Sequence, residues 1–301
     1  MVIPGEKSPG TVHKERVAYM IEIYNEDCFE TMKLLDDNSI DLVLTSPFYN
    51  TNKKAGKNRT LENSAMNDGR YEYLRYDTHV DNMTNEEYNI YTEDLFHEFD
   101  RIIIDNGCVL YNISYGAENT TGMFEAINAV ITKTAFTVVD VIGWKKSTAF
   151  PNSTSSNRLT RLFEFVFVLC RKTEMKTFHC NKQIKSYRKS GQPCYENIYN
   201  FIEAKNNDGA CKWNKATYSS ELCQKLLEIY APQKAWVYDP FMGTGTTAVA
   251  CQRMGLNCVG SEISKNQVLF AVDRLKTEFH QLNNEGLYYE ISEKEENANG
   301  I

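Results

Sequence analysis

The sequence predicts an α/β protein with a mostly parallel, doubly wound sheet, and three observations support that fold class. Short apolar, β-favouring runs alternate with amphipathic stretches of helical length along most of the chain. The last strand–helix–strand unit has Gly243 and Gly245 between its first strand and its helix, where glycines let a backbone turn tightly. The apolar run at 41–44 leads into a polar loop, at the edge where open α/β sheets bind their ligands.

Each predicted element follows from a local pattern. Strands are predicted where β-branched and aromatic residues cluster, and helices where apolar residues recur at helical spacing. Asp27 is a candidate N-cap for an early helix, and Thr84 with Glu87 has the spacing of a capping box. The predicted strands are 19–24, 41–44, 108–111, 136–144, 162–169, 236–238 and 257–260. The predicted helices are 28–35, 84–104, 122–132, 221–229 and 246–254.

Composition divides the chain into a core and several polar segments. The connection at 51–81 is too long for an ordinary loop, which predicts that it is either disordered or functional. Residues 171–212 are rich in basic and aromatic side chains, which predicts an inserted, partly irregular module or, alternatively, a solvated basic loop. The predicted divisions are a flexible arm at 1–18, a first half at 19–170, the insertion at 171–212, a second half at 213–280 and an acidic tail at 281–301.

The overall composition is that of a globular protein without a basic coat. Of 301 residues, 42% are hydrophobic and 24% are charged, and the net charge is −7. This balance argues against a uniformly basic nucleic-acid surface, but it is compatible with a locally basic groove. The nine cysteines form no Cys-x-x-Cys pair, which predicts reduced thiols in a cytoplasmic protein rather than disulfides or a metal site. No signal peptide or membrane span is visible in the sequence.

The glycine turn predicts a site for a nucleoside cofactor. Glu262 follows the second strand of the unit, about 20 residues after the glycines, where a carboxylate suits a ribose diol. No lysine follows Gly245, so the turn is not a phosphate-binding P-loop, and the third glycine of the dinucleotide fingerprint is absent. A cofactor without a pyrophosphate fits better, and S-adenosylmethionine meets that requirement. The alternative is an ordinary tight turn followed by a surface glutamate.

Two motifs carry a resemblance to a known family. The run Thr45-Ser46-Pro47-Phe48-Tyr49-Asn50 resembles the catalytic loop of DNA amino-methyltransferases, and the run from Asp239 to Thr247 resembles their S-adenosylmethionine loop. The catalytic loop comes first, which is the order of the β group. Weaker matches lie at 144–145, 161–164 and 214–222, so that the resemblance covers about 19–275. The usual second proline of the catalytic loop is Phe48 here.

The resemblance implies a permuted Rossmann-like methyltransferase fold with an inserted target-recognition region. The implied catalytic residues are Ser46, Pro47, Phe48 and Tyr49. The implied cofactor-binding residues are Asp27, Asp239, Phe241, Gly243, Gly245, Thr246, Thr247 and Glu262. The predicted DNA-binding residues are Lys53, Lys54, Lys57, Arg59, Lys182, Lys185, Arg188 and Lys189. The expected partner is double-stranded DNA, and a cognate restriction endonuclease and a homodimer are compatible with the resemblance.

These roles imply a site-specific methyltransferase that acts on the exocyclic amino group of a flipped base. The Ser46 hydroxyl and the Pro47 carbonyl would accept the amino hydrogens, while the ring of Tyr49 or Phe48 would stack on the base. Serine at the first catalytic position favours cytosine N4 slightly, with adenine N6 as the close alternative. An RNA or protein-amide methyltransferase and an inactive DNA-binding homologue are the remaining alternatives.

Overall fold

The structure is a computed structural model that describes residues 19–50, 83–116, 119–149, 155–211 and 217–281. The predicted arm at 1–18 and the polar connection at 51–81 lie outside these ranges, as does almost all of the predicted acidic tail. Lys53, Lys54, Lys57 and Arg59 therefore belong to the part of the chain that is not described.

The described residues form ten strands and six helices. The strands are β1 (Ile21–Tyr24), β2 (Ile40–Thr45), β3 (Ile103–Ile113), β4 (Phe136–Lys146), β5 (Phe163–Arg171), β6 (Ile184–Tyr187), β7 (Pro193–Tyr195), β8 (Phe201–Ala204), β9 (Trp236–Asp239) and β10 (Asn257–Ser261). The helices are α1 (Cys28–Leu34), α2 (Asn85–Ile102), α3 (Gly122–Lys133), α4 (Ser220–Tyr230), α5 (Thr246–Met254) and α6 (Lys265–Gln281). The predicted capping box is present, since the Thr84 side chain and the Glu87 carboxylate each accept from the other's backbone amide.

Eight of the strands form one sheet in the order β1-β10-β9-β2-β3-β5-β4-β8, and β6 pairs with β7 in a separate hairpin. Within the large sheet only β5 runs antiparallel to its neighbours, β3 and β4. The predicted mostly parallel sheet is confirmed. The parallel strands bring their carboxyl ends to one edge, which is called the carboxyl edge below, and their starts to the opposite amino edge.

Helices cover both faces of the large sheet, as the doubly wound prediction requires. One core cluster packs α4, α5 and α6 against the sheet, and the other packs α1, α2 and α3 against the opposite face. The alternation of strand side chains divides the sheet between these clusters: in β2, Leu42 and Leu44 face the first cluster and Val43 faces the second. No helix of the described residues is long and apolar enough to cross a membrane.

The predicted insertion at 171–212 is more closely joined to the main domain than its composition indicates. Arg171 ends β5 and donates to the Asp100 carboxylate and to the Ile103 carbonyl, so the chain does not leave the domain at this point. Residues 201–204 form β8, which extends the large sheet beside β4. Among the described strands, those of the β6–β7 hairpin stand outside that sheet. The division at 171–212 stays a prediction, but β8 within it belongs to the sheet.

Candidate active site

The two motifs predicted to carry function lie on neighbouring strands. β2 and β9 pair in parallel, with Leu42 opposite Val237. At their carboxyl ends the Thr45 hydroxyl donates to the Asp239 carboxylate at 2.8 Å, across 194 residues of sequence. This contact holds the start of the catalytic loop directly beside the start of the glycine loop.

Asp239 is the centre of a buried hydrogen-bond cluster rather than an exposed ligand. Its carboxylate also accepts from the Tyr218 hydroxyl at 3.1 Å, from the Phe241 amide at 3.1 Å and from the Thr247 hydroxyl. Burial raises the pKa of Asp239, and these donors oppose the rise by stabilising the charged form. Asp239 is 1% exposed and Thr247 is fully buried. The Asp239 and Thr247 side chains therefore fix the shape of the loop, and their predicted contact with the cofactor stays a prediction.

The glycine loop has the backbone geometry that the sequence predicted. Gly243 and Gly245 have φ angles of +54° and +78°, a region that favours glycine. A Cβ on Gly245 would lie 2.8 Å from the Cβ of Ala271, so this glycine also lets α6 pack closely against the turn. Thr246 begins α5, and its hydroxyl accepts from Arg274 at 3.1 Å. The turn is thus held on its inner side by α6.

Glu262 lies at the end of β10, beside the glycine loop. Its Oε2 accepts from the Gly243 amide at 2.9 Å and its Oε1 accepts from the Ser264 amide at 2.8 Å. The Asn25 side-chain amide donates to the Glu262 and Ile263 carbonyls, which ties the end of β1 to this loop. Each carboxylate oxygen has more than one acceptor position. A carboxylate that is prepositioned at a left-handed glycine fits the ribose of a nucleoside cofactor.

Asp27 caps the helix that follows β1. Its side chain accepts from the Phe29 amide at 2.9 Å, which is the N-cap arrangement considered from the sequence. Asp27 is exposed and follows β1, the neighbour of β10 in the sheet. The structure therefore shows the capping contact, and a further contact with the cofactor or the base stays a prediction.

Phe48 is a packing residue that takes the place of the usual second proline. It is 8% exposed, and its ring contacts Tyr88, Tyr91 and Phe241 at centroid distances of 5.3, 5.5 and 6.1 Å. The Tyr88 hydroxyl donates to the Phe48 carbonyl at 2.6 Å. Aromatic contacts and this hydrogen bond thus fix the loop without a second proline. Because Phe48 packs inward, Tyr49, which is half-buried, is the better candidate for stacking on a base.

Tyr49 also joins Ser46 to residues that were not assigned a role from the sequence. The Ser46 and Tyr49 hydroxyl oxygens are 3.1 Å apart. The Tyr49 hydroxyl is also 3.1 Å from Asn112 Oδ1 and 3.0 Å from Glu164 Oε2. Glu164 in turn forms an ion pair with Lys146. Glu164 reaches the carboxyl edge because β5 is antiparallel and starts there, an arrangement that a single sequence does not reveal.

The predicted basic cluster at 182–189 lies on or beside the β6–β7 hairpin, whose base is attached at the amino edge of the sheet. Lys182, Lys185, Arg188 and Lys189 are exposed on or beside the β6–β7 hairpin. Asn181, at its root, donates from its side chain to the Glu228 and Ala231 carbonyls at 2.9 and 2.8 Å. These carbonyls lie at the end of α4, shortly before β9 begins, and hence at the amino edge. The structure does not bring the root of the hairpin to the catalytic loop.

The described residues contain no arranged metal site, and their cysteines are unpaired by disulfides. No group of three or more His, Cys, Asp or Glu side chains in this part of the chain is placed to hold a metal ion. The nine cysteines are free thiols, and six of them are buried. They contribute to packing in the described structure.

The fold and the two adjoining loops define a class of protein, a Rossmann-like methyltransferase of permuted order. A family model described as DNA methylase, of the N6/N4 type, matches residues 40–273. The chain belongs to this DNA methylase family. The enzyme class, the fold and S-adenosylmethionine as the methyl donor, all predicted from the two motifs, are confirmed by this membership.

Curated relatives and solved structures agree with the family. The chain is 26% identical to the type II methyltransferase M.MthZI of Methanothermobacter thermautotrophicus over 78% of its own length and 71% of that protein. It is 24% identical to the type II methyltransferase M.BglII of Bacillus subtilis, over 88% of its own length and 72% of that protein.

Two solved structures share the fold. The cytosine-N4-specific PvuII DNA methyltransferase matches with a TM-score of 0.62 and 14% identity, over 91% of this chain and 98% of that one. The complex of M1.HpyAVI with SAM matches with a TM-score of 0.53 and 21% identity, over 85% of this chain and 100% of that one.

Proposed function

We propose that this DNA methylase is site-specific and transfers a methyl group to the exocyclic amino nitrogen of a base flipped out of duplex DNA. The observation that carries the proposal is the contact between Thr45 and Asp239. It holds the Ser46-Pro47 loop against the glycine loop, so that a base at the first and a cofactor at the second would be neighbours. Orientation of this kind accounts for much of the rate enhancement in group transfer.

The cofactor end of the site is built by Glu262 and the glycine loop. S-adenosylmethionine, when bound, supplies an electrophilic methyl group on a sulfonium centre. Glu262 would accept hydrogen bonds from the ribose hydroxyls, for which its two carboxylate oxygens are already oriented by backbone amides. Phe241, half-buried against Phe48, would line the side of the pocket that faces the catalytic loop.

The base end of the site is built by Ser46, Pro47 and Tyr49. An exocyclic amino nitrogen is a poor nucleophile because its lone pair is delocalised into the ring of the base. The Ser46 hydroxyl and the Pro47 carbonyl would accept its hydrogens and so favour a more tetrahedral nitrogen with an available lone pair. The half-buried ring of Tyr49 would stack on the base, which is worth roughly 1–3 kcal/mol in single-strand binding.

The substrate base that this site favours is cytosine. A carboxylate is a stronger acceptor for an amino hydrogen than a hydroxyl, and Ser46 supplies a hydroxyl at the position where adenine-specific members of the family mostly have aspartate. We therefore expect N4-methylcytosine in duplex DNA. Mass spectrometry of nucleosides from DNA of cells that express the chain measures the product. N6-methyladenine alone would overturn the preference for cytosine and leave amino transfer standing.

The DNA-contacting surface is proposed at the carboxyl edge, where the polar connection leaves and rejoins the described chain. The Asn50 side-chain amide donates to the Met83 carbonyl at 3.0 Å, so the residues that flank this connection lie together next to the catalytic loop. Asn119 fixes the same point by donating to the Asn50 carbonyl at 2.9 Å. Four cations in the sequence of this connection, which lies outside the described residues, are proposed to contact DNA phosphates. They are Lys53, Lys54, Lys57 and Arg59.

The recognition site, a cognate endonuclease and the substrate class are each addressed by a separate experiment. Methylation-sensitive sequencing of DNA from expressing cells should reveal one short modified sequence, as a site-specific enzyme requires. Resistance of that DNA to a restriction endonuclease encoded nearby would support the proposed partner. Purified protein should methylate duplex DNA but not RNA or protein; the opposite preference would overturn the proposal. The homodimer and the cytoplasmic location stay predictions.

A further inference from the structure

A hydrogen-bond chain runs from Ser46 to a charged pair at the start of β5. The Ser46 and Tyr49 hydroxyl oxygens are 3.1 Å apart, and the Tyr49 hydroxyl lies 3.0 Å from Glu164 Oε2. Glu164 forms an ion pair with Lys146 on the neighbouring strand β4, and both side chains are largely buried. The Lys146 ammonium also lies over the Trp144 ring, 4.9 Å from its centroid. The chain of contacts therefore connects a catalytic hydroxyl to a fixed carboxylate.

The direction of these hydrogen bonds follows from the number of hydrogen atoms that the Tyr49 hydroxyl and its neighbours can donate. A tyrosine hydroxyl donates once. Two neighbours of the Tyr49 hydroxyl, Glu164 Oε2 and Asn112 Oδ1, are acceptors that carry no hydrogen to give back. The Asn112 orientation is fixed because its Nδ2 donates to the Phe165 carbonyl at 3.1 Å. The Tyr49 proton is therefore directed to this side, away from Ser46.

The consequence for Ser46 is that it donates to Tyr49. Because the Tyr49 proton points toward Glu164 and Asn112, the close Ser46–Tyr49 contact is a hydrogen bond only if the Ser46 hydroxyl supplies the proton. The oxygen lone pairs of Ser46 then remain as acceptors on a half-buried residue of the catalytic loop. An acceptor is what an amino group with hydrogens to donate requires.

We propose that Glu164, held by Lys146, is a positioning residue that acts through Tyr49 to keep Ser46 in its acceptor state. The proposal rests on the proposed amino transfer at Ser46 and adds residues from β4 and β5 to that site. The carboxylate of Glu164 matters because it accepts and cannot donate. An amide at this position could donate to Tyr49, which would free the tyrosine proton to turn toward Ser46 and compete for its lone pairs.

The test uses Glu164→Gln, which keeps size and changes an obligate acceptor into a group that can donate. Single-turnover methyl transfer is measured on a duplex that carries the recognition site found by sequencing. We expect the transfer rate to fall about 10- to 100-fold, the range for loss of a charge-assisted hydrogen bond. The Kd values for S-adenosylmethionine and for the duplex should each stay within about twofold, since the proposed role of Glu164 is exerted through Tyr49 and not on either ligand.

A double-mutant cycle separates positioning from general damage. In a Ser46→Ala background, Glu164→Gln should reduce the residual rate by no more than about twofold, because the path ends at Ser46. Tyr49→Phe keeps the ring and removes the hydroxyl that links Ser46 to Glu164. Adding Glu164→Gln to this variant should therefore change the transfer rate little. If Glu164→Gln fails to fold, Lys146→Gln tests the same chain from its outer end, with an expected loss in the same direction.

The neighbouring lysine provides the matched control. Lys145 forms an ion pair with Glu203 at 2.9 Å instead of with Glu164, so Lys145→Gln should leave the transfer rate within about twofold. An unchanged rate in Glu164→Gln, or an equal loss with and without Ser46, would overturn the role of Glu164 while leaving the enzyme's function intact. Absence of methyl transfer by the wild-type protein on duplex DNA would overturn the proposed function and this inference together.

Discussion

The two edges of the large sheet are built in different ways. At the carboxyl edge, Thr45, Asp239 and Glu262 are buried and bonded to side chains and backbone amides of separate elements. At the amino edge, the β6–β7 hairpin exposes most of its side chains, and Asn181 anchors its root to the end of α4. The motif loops at the first edge are fixed in shape by buried polar contacts, whereas the hairpin at the second edge carries its charge on exposed side chains.

The difference shows what a basic segment does and does not reveal. Lysines are found where solvent is available, so the composition of 171–212 correctly indicates an exposed surface. It does not indicate which edge of the sheet that surface occupies. The position of the hairpin follows from the direction of β5, which returns the chain from the carboxyl edge to the amino edge before the basic residues begin.

The largest expected effect is on stability, from removal of the carboxylate that organises the carboxyl edge. Asp239→Ala would leave the buried hydroxyls of Thr45, Tyr218 and Thr247 without their acceptor. We expect the free energy of unfolding to fall by about 3–5 kcal/mol, since each unsatisfied buried group costs about 1–3 kcal/mol and some relax. Urea denaturation followed by circular dichroism measures the change.

The matched variant lies at the amino edge. Asn181→Ala removes two hydrogen bonds to carbonyls at the end of α4 and the 2.8 Å contact of its Oδ1 with the His179 ring, all at a partly exposed position, so we expect a loss of about 1–2 kcal/mol. An equal or larger loss in Asn181→Ala than in Asp239→Ala would contradict the contrast between the two edges. It would mean that the hairpin root, rather than the catalytic edge, organises the domain.

Local pattern was sufficient to predict most of the fold. The helix at 246–254 and the capping box at Thr84 were predicted correctly because glycine turns and caps are determined by adjacent residues. The strands β6, β7 and β8 and the helix α6 were not predicted. β8 has four residues at the end of a basic segment, which is too short for a clear alternation. Its strand character depends on pairing with β4 rather than on its own sequence.

The site was predicted in part, and the missing part is a matter of long-range geometry. Ser46, Gly243 and Glu262 belong to motifs that are contiguous in sequence or separated by one strand–helix–strand unit. Glu164 is brought beside Tyr49 by an antiparallel strand 115 residues away, which no local pattern specifies. The ring of Phe48, predicted as catalytic from its place in the motif, packs against Tyr88 and Tyr91 of α2, and its catalytic role stays a prediction.

The second-largest expected effect is on the affinity for the cofactor. If Glu262 binds the ribose, Glu262→Ala should weaken S-adenosylmethionine binding by about 1.5–3 kcal/mol, the range for hydrogen bonds to a charged group. Isothermal titration calorimetry measures the affinity. Part of the loss would arise because the Gly243 and Ser264 amides lose the acceptor that orders the loop. Glu262→Gln helps to separate the two causes, since its amide oxygen can still accept one of these bonds.

The amino edge again supplies the control for this prediction. Asn181→Ala should leave the cofactor affinity unchanged, because its contacts lie at the opposite end of the strands. DNA binding without cofactor should barely change in Glu262→Ala. An unaltered cofactor affinity in Glu262→Ala would remove this residue from the site and would require another partner for the ribose.

The smallest effect per side chain is electrostatic, and it compares the two basic sets directly. One variant replaces Lys53, Lys54, Lys57 and Arg59 with glutamine, and the other replaces Lys182, Lys185, Arg188 and Lys189. Each lost phosphate contact should reduce the slope of log affinity against log salt concentration by about 0.9. The loss of affinity between 50 and 200 mM salt would then be roughly threefold smaller for each lost contact. We expect this reduction in the first variant, whose segment begins beside the catalytic loop, and little change in the second. Fluorescence anisotropy across a salt series measures both slopes. Equal net charge in the two variants excludes a general charge effect, so the opposite result would place the phosphate contacts on the hairpin, the other of the two sets predicted from the sequence.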